Sequence, residues 1–272
     1  MVFKIIILMF STLMLASCER NPATHSGPFL IRDGVTYDQK TNEPVTGIIA
    51  DYYDSGELAE KIALVSGIPN GVYESYFKNG ALQSKVMYEV YDDGRTKRYV
   101  ESYHYNGLLK EKVRFEDGKK EGLFEAFYES GQLEARRNFV NGEEQGLSEI
   151  YHSNGQLAQS VVFLDGQEDG ERKSYGIDGH LTATALFKNG VKEGMSKEYY
   201  PNGNLKSKAM YLDGCVSGFS EVYFADGGVS EKWIYDSVGN AVKVKRFSES
   251  GREISESKIV RIKGYIPPNE PC

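Results

Sequence analysis

Gly-Leu-Ser-Glu-Ile-Tyr-His-Ser-Asn-Gly-Gln-Leu, residues 146–157, decides the fold, because the string returns in altered form elsewhere. Residues 122–133 read Gly-Leu-Phe-Glu-Ala-Phe-Tyr-Glu-Ser-Gly-Gln-Leu, and residues 194–205 read Gly-Met-Ser-Lys-Glu-Tyr-Tyr-Pro-Asn-Gly-Asn-Leu. Each copy runs on through an alternating stretch to Phe139, Phe163 or Tyr211 and closes with Asn141-Gly142, Asp165-Gly166 or Asp213-Gly214. Working outward, glycine recurs at Gly56, Gly80, Gly107, Gly131, Gly155, Gly179, Gly203, Gly227 and Gly251, in steps of 24 residues except for 27 between Gly80 and Gly107. An aromatic residue keeps one place in every unit: Tyr52, Tyr76, Tyr103, Phe127, Tyr151, Tyr175, Tyr199, Tyr223 and Phe247.

The period inside a unit is two. Leu133, Ala135, Arg137 and Phe139 alternate with Glu134, Arg136 and Asn138, the pattern of a half-buried strand. Asn-Gly or Asp-Gly between alternating runs signals a tight hairpin, since a type I′ turn needs positive φ at both central residues. Each unit therefore reads as two antiparallel strands that need their neighbours to cover them. The expected fold is all-β: an elongated meander of about nine hairpins, with strands ~4.8 Å apart.

Two places depart from the rule. Around Tyr88-Glu89-Val90-Tyr91, three extra residues precede Asp93-Gly94, so a bulge or longer loop is expected there. In the last unit, Glu253 stands in the leucine column and the first strand is basic (Lys243, Lys245, Arg246), which suits a cap. A partial unit before Gly47, with Tyr37 and Thr41-Asn42-Glu43-Pro44, suits a cap at the other end.

The chain begins differently. Lys4 precedes an apolar run from Ile5 to Leu15, followed by Leu15-Ala16-Ser17-Cys18. Eleven apolar residues are too few for the ~20 that span a bilayer, and small residues directly before a cysteine resemble the lipobox of bacterial lipoproteins. That resemblance implies a signal peptide over 1–17 and acyl chains such as palmitate on Cys18. It also implies an envelope location anchored in the outer or cell membrane, more than one chain being needed for stable anchoring. Residues 18–29 read as a flexible tether, 30–264 as the repeat domain and 265–272 as a Pro-rich tail. Without Lys4 the mature chain has 31 basic and 39 acidic residues, a formal charge of −8. Nucleic acid is therefore an unfavourable partner. An oxidising compartment permits Cys215 and Cys272 to pair, although two cysteines make no disulfide framework.

The string Gly-x-x-x-x-Tyr-Tyr-x-Asn-Gly-x-Leu, followed by an aromatic and Asp-Gly, resembles the variant MORN repeat of YwqK-type bacterial proteins, over residues 44 to about 264. The resemblance implies a hairpin-repeat fold and an interaction surface for proteins or lipids. The antitoxin label attached to such proteins implies a cytoplasmic partner, whereas the Cys18 segment points outside the cell.

No Walker loop, His-Glu-x-x-His, nucleophile elbow or Cys-x-x-Cys is present. His104 and His152 take a place where other units carry Tyr or Phe, and His25 and His180 are isolated, so no metal site is expected. Asn141 and Asn189 alternate with the turn aspartates, which favours turn chemistry over calcium. Glu125, Glu149 and Glu221 share a strand position with Lys173 and Lys197, which disfavours a carboxylate pair for glycoside hydrolysis. The reading is a protein that is not an enzyme, with no cofactor and no small-molecule substrate. Its candidate partner-binding residues are the second aromatics Tyr53, Phe77, Tyr128, Tyr200 and Phe224. In a one-layer sheet these form an exposed stripe, and between two layers they are core. The leading expectation is a membrane-anchored module binding a protein partner. An antitoxin or immunity protein and a carbohydrate-binding wall module are the alternatives, the latter weakened by Trp233 being the only tryptophan.

Overall fold

The computed structural model describes residues 24–258 apart from 26, 92 and 237. The expected signal segment, Cys18, Cys272 and the Pro-rich tail lie outside the described residues. The expected meander is what forms. Regular units pair Gly122–Phe127 with Leu133–Val140, Gly146–Tyr151 with Leu157–Leu164, Gly170–Tyr175 with Leu181–Lys188, and Gly194–Tyr199 with Leu205–Leu212. From Gly47–Tyr52 to Glu253–Lys258 each strand bonds antiparallel to its sequence neighbours. Thr24–His25 adds a short parallel strand beside Ile48 and Ile49, so the stretch expected as tether meets the sheet before residue 30.

The Asn/Asp-Gly pairs beginning at Asp117, Asn141, Asp165, Asn189 and Asp213 turn as expected. Asn141 and Gly142 have φ of 52° and 91°, and Asp165 and Gly166 have 51° and 74°, the double positive of a type I′ turn. The same dipeptide behaves differently at the other edge. Asn154 stays out of the positive region and only Gly155 enters it, at 85°, closing a four-residue turn in which the Gly155 N–H donates to the His152 carbonyl. The Asn154 side chain accepts the Gln156 N–H at 3.0 Å, so it stabilises the turn without adopting its strained backbone.

Past each type I′ turn the register slips. Val140 and Phe139 pair with Glu143 and Glu144, but Arg136 pairs with Glu149, leaving two additional residues on the returning strand, at Gln145 and Gly146. The 27-residue unit dispenses with this bulge. Its register runs unbroken from Ser84 opposite Ser102 to Val90 opposite Thr96, and a five-residue loop takes up the extra chain. The expected longer loop is thus present, and the following units keep their alignment.

One face holds the core, in the column four residues after the leucine of most units: Val86, Val113, Val161, Ala185, Ala209 and, after Val229, Trp233 are buried, while Ile62 and Arg137 fill the same place half-buried. Next to it run aromatics whose rings are covered by cations, with Arg172 over Phe187 at 4.1 Å, Lys192 over Tyr211 at 4.3 Å, and Lys120 over both Phe124 and Phe139 at 5.0 Å. Their methylene stems shield rings that no second sheet covers. Among the described residues no large side chain is less than 2% exposed, as a one-layer sheet requires.

A hairpin, Phe29–Arg32 with Val35–Asp38, caps the first edge. Its Thr36 N–H donates to the Gly67 carbonyl at 2.8 Å. A Cβ on Gly67 would lie 2.5 Å from Val35 Cγ1 and 2.6 Å from the Thr36 carbonyl, so only glycine fits this close approach.

Candidate functional site

The opposite face is organised as rows that cross every strand. From one cross-strand pair to the next run Lys61, Glu74, Lys85, Glu101, Lys112, Glu125, Arg136 and Glu149. The row continues through Ser160, Lys173, Thr184, Lys197, Lys208, Glu221, Lys232, Lys245 and Glu256. Opposite charges on facing strands stabilise a sheet by ~0.2–1 kcal/mol per pair, and like charges do the reverse.

Two glutamates in the row collect cations from both sides. Glu125 accepts from Lys112 at 2.7 Å and Arg136 at 3.1 Å, and Glu221 accepts from Lys208 at 2.8 Å and Lys232 at 3.0 Å. The first aromatic of the unit adds a donor, since the hydroxyls of Tyr76, Tyr103 and Tyr151 donate to Glu74, Glu101 and Glu149 at 2.7, 2.8 and 2.9 Å. Tyr223 donates to Glu221 in the same way. Burial alone would raise the Glu221 carboxyl, but the bonds from Lys208, Tyr223 and Lys232 outweigh it and hold the group at about 2. Glu74 and Glu125 are lowered by the same contest between burial and donors. Burial and the Glu101 carboxylate push the Tyr103 phenol up to about 12.

The pattern breaks in the middle. Lys173 and Lys197 occupy the glutamate position, facing Ser160, Thr184 and Lys208. Lys173 leans on Glu171 at 3.1 Å, one step along its own strand face. Among the described residues, Lys197 and the hydroxyls of Tyr175 and Tyr199 make no hydrogen bond or ion pair, Tyr175 lying beside Lys173.

Beside this row, on the same face, lies an apolar one. Leu147 faces Val162, Met195 faces Met210, and Phe219 faces Ile234, with Leu123 and Leu186 in the intervening units. Leu123, Leu147, Leu186 and Ile234 are 49%, 55%, 42% and 45% exposed, an apolar strip interrupted where Asn138 faces Leu123 and Glu171 faces Leu186.

The second aromatics sit elsewhere, and all five are half-buried. The hydroxyls of Tyr53, Tyr128 and Tyr200 donate to the carbonyls of Tyr76, Tyr151 and Tyr223, in the following unit, at 2.6, 2.6 and 2.8 Å. Nε2 of His104 and His152 makes the same bond to Phe127 and Tyr175, at 2.8 and 3.0 Å. A carbonyl only accepts, so Nε2 carries the proton, and histidine substitutes for tyrosine as a brace between units. Phe77 packs edge-on against Tyr105 at 5.2 Å, and Phe224 has no hydroxyl to donate. Cys215 is half-buried at the start of its strand and is disulfide-bonded, to a partner outside the described residues.

Near the first units the core face hollows into a concavity of about 560 Å³ lined by Tyr53, Tyr73, Phe77, Glu60, Ser84 and Ser102, among others. The Ser102 hydroxyl is buried there without a partner.

The geometry defines a one-layer β-hairpin repeat protein with one bonded face and one patterned, uncovered face. Four of its segments, residues 69–89, 120–141, 144–165 and 192–213, match the MORN repeat variant. No curated protein matches it. Among solved structures it is similar to "Crystal Structure of TcdB2-TccC3-Cdc42", at 11% identity and a TM-score of 0.22 over 82% of this chain and 14% of that one. It is also similar to "Crystal Structure of TcdB2-TccC3 without hypervariable C-terminal region", at 13% identity and a TM-score of 0.20 over 88% and 16%. The chain thus spans only 14–16% of the length of these solved chains, and at such TM-scores the likeness carries no argument.

Proposed function

We propose that this chain is a non-enzymatic envelope lipoprotein, anchored through acyl chains on Cys18, whose repeat surface binds a protein partner. The observation that carries the binding part is the run of exposed apolar side chains at Leu123, Leu147, Leu186 and Ile234 on one face beside a charged row, since clustered exposed apolar side chains mark an interaction site. The anchoring part rests on the Leu15-Ala16-Ser17-Cys18 sequence. Photocrosslinkers at Leu123, Leu147 and Met210 in intact cells should capture one recurrent protein, identified by mass spectrometry. Capture no greater than from positions on the core face would sink the reading. Metabolic labelling with a palmitate analogue should mark the wild-type chain and not Cys18→Ala.

The concavity at Tyr53, Phe77 and Glu60 favours a second reading, a carbohydrate site in which rings stack on aromatics and hydroxyls meet Glu60, Ser84 and Ser102. Glycan-array binding lost in Phe77→Ala would support it.

A further inference from the structure

In the charged row, every glutamate between Glu74 and Glu149, and Glu221 beyond them, sits among cations from neighbouring strands, and most also take a tyrosine hydroxyl. The central units repeat the donors and omit the acceptor. Lys197 stands directly opposite Lys208, and Tyr199 follows it at the spacing that elsewhere joins tyrosine to glutamate. Tyr175, one unit earlier, is equally without an acceptor. From Lys61 to Glu149 four cations face four anions, whereas from Ser160 to Glu256 five cations face two. The excess is local, for the chain as a whole carries a formal charge of −7.

We infer that this stretch is where the partner docks, and that the partner supplies the missing acceptor. It is an acidic protein segment whose carboxylates bond Lys197, Tyr199 and Tyr175 while its apolar side chains cover Leu186 and Met210 in the adjoining row. The glutamates of the other units are the template for the ligand: a carboxylate fits this donor set because carboxylates of this chain already occupy its equivalents. The net negative charge of the chain disfavours an acidic segment away from such a local excess of cations. The inference rests on the protein-binding reading above and narrows it to a place and a chemistry.

Lys197→Glu tests it by building the acceptor into the row, giving Tyr199 an acceptor and Lys208 a second one beside Glu221. The full-length chain in detergent is titrated with a fluorescein-labelled peptide of paired glutamates flanked by leucines, and with its glutamine counterpart. The wild type is expected to bind the glutamate peptide at least 10-fold more tightly than the glutamine one, with affinity falling as salt rises. Lys197→Glu should lose at least 10-fold without a lower melting temperature, and the neutral Lys197→Gln should lose part. Equal binding of both peptides, no binding by the wild type, or binding unchanged in both variants would overturn the proposal. So would Lys197-dependent binding of phosphatidylglycerol vesicles in place of the peptide. Crosslinking at Leu123 in cells separates the two readings. Capture surviving Lys197→Glu leaves a protein-binding surface but refutes this site, whereas no capture by the wild type refutes the broader reading.

Discussion

Residues 122–164 and residues 170–199 share one backbone plan and differ in what joins each unit to the next. In the first stretch the Glu125 and Glu149 carboxylates hold neighbouring strands through Lys112 and Arg136, and Tyr128 and His152 reach forward to the next carbonyl. Asn154 adds a bond to the Ile177 carbonyl at 2.6 Å. In the second stretch Lys173 and Lys197 replace the glutamates, Gly176 replaces the bracing ring, and Asp178, which has no donor, replaces the asparagine. A repeat array is only as cohesive as its junctions, so the comparison separates side chains that join units from those that leave a unit open to something else.

Acid should erase the contrast most strongly, because it acts on every glutamate at once. Glu221 is held at about 2 against an ordinary 4.5, so its contribution is complete above that ordinary value and lost as pH falls towards 2. Hydrogen exchange between pH 6 and pH 3 should show protection falling over residues 122–164, where Glu125 is also lowered, and changing less over 170–199. Equal losses would mean that the row does not join units. Glu125→Ala strips Lys112 and Arg136 of their common acceptor at a buried position and should cost about 2 kcal/mol of local opening free energy, while Thr184→Ala should stay within ~0.5 kcal/mol. Gly176→Tyr should do the opposite, giving the Tyr199 carbonyl the donor it lacks and stabilising that junction by about 1 kcal/mol in urea unfolding. The backbone permits a side chain once Asp178 moves, since the nearest atom to a Cβ there is Asp178 Oδ1 at 2.7 Å, which accepts the His180 N–H at 3.2 Å in the turn. The smallest effect belongs to His152→Tyr, which exchanges one donor to the Tyr175 carbonyl for another and should move the melting temperature by less than the equivalent of ~0.5 kcal/mol.

The hairpins were legible because they rest on two local signals, the period of two and the turn glycines, and neither needs long-range register. The same letters showed Glu125, Glu149 and Glu221 sharing a place with Lys173 and Lys197, but only as a reason against catalysis. Recognising a row required knowing that Arg136 faces Glu149, and the two residues absorbed at Gln145 and Gly146 hide that pairing from any count along the chain. The second aromatics were located but not their duty: a tyrosine hydroxyl aimed at a carbonyl 23 residues away leaves no mark in its own unit. Their replacement by His104 and His152, and never by an aliphatic residue, was the available clue, because those side chains share a donor.

The five-residue loop between Val90 and Thr96 marks a place where this architecture tolerates cargo. There the array lengthened by three residues and every later unit kept its phase, since Val90 and Thr96 still face each other at the foot of the loop. A tag or small fold spliced between Asp93 and Gly94 would ride outside the ribbon, a natural port for labelling the molecule while both of its faces stay clear.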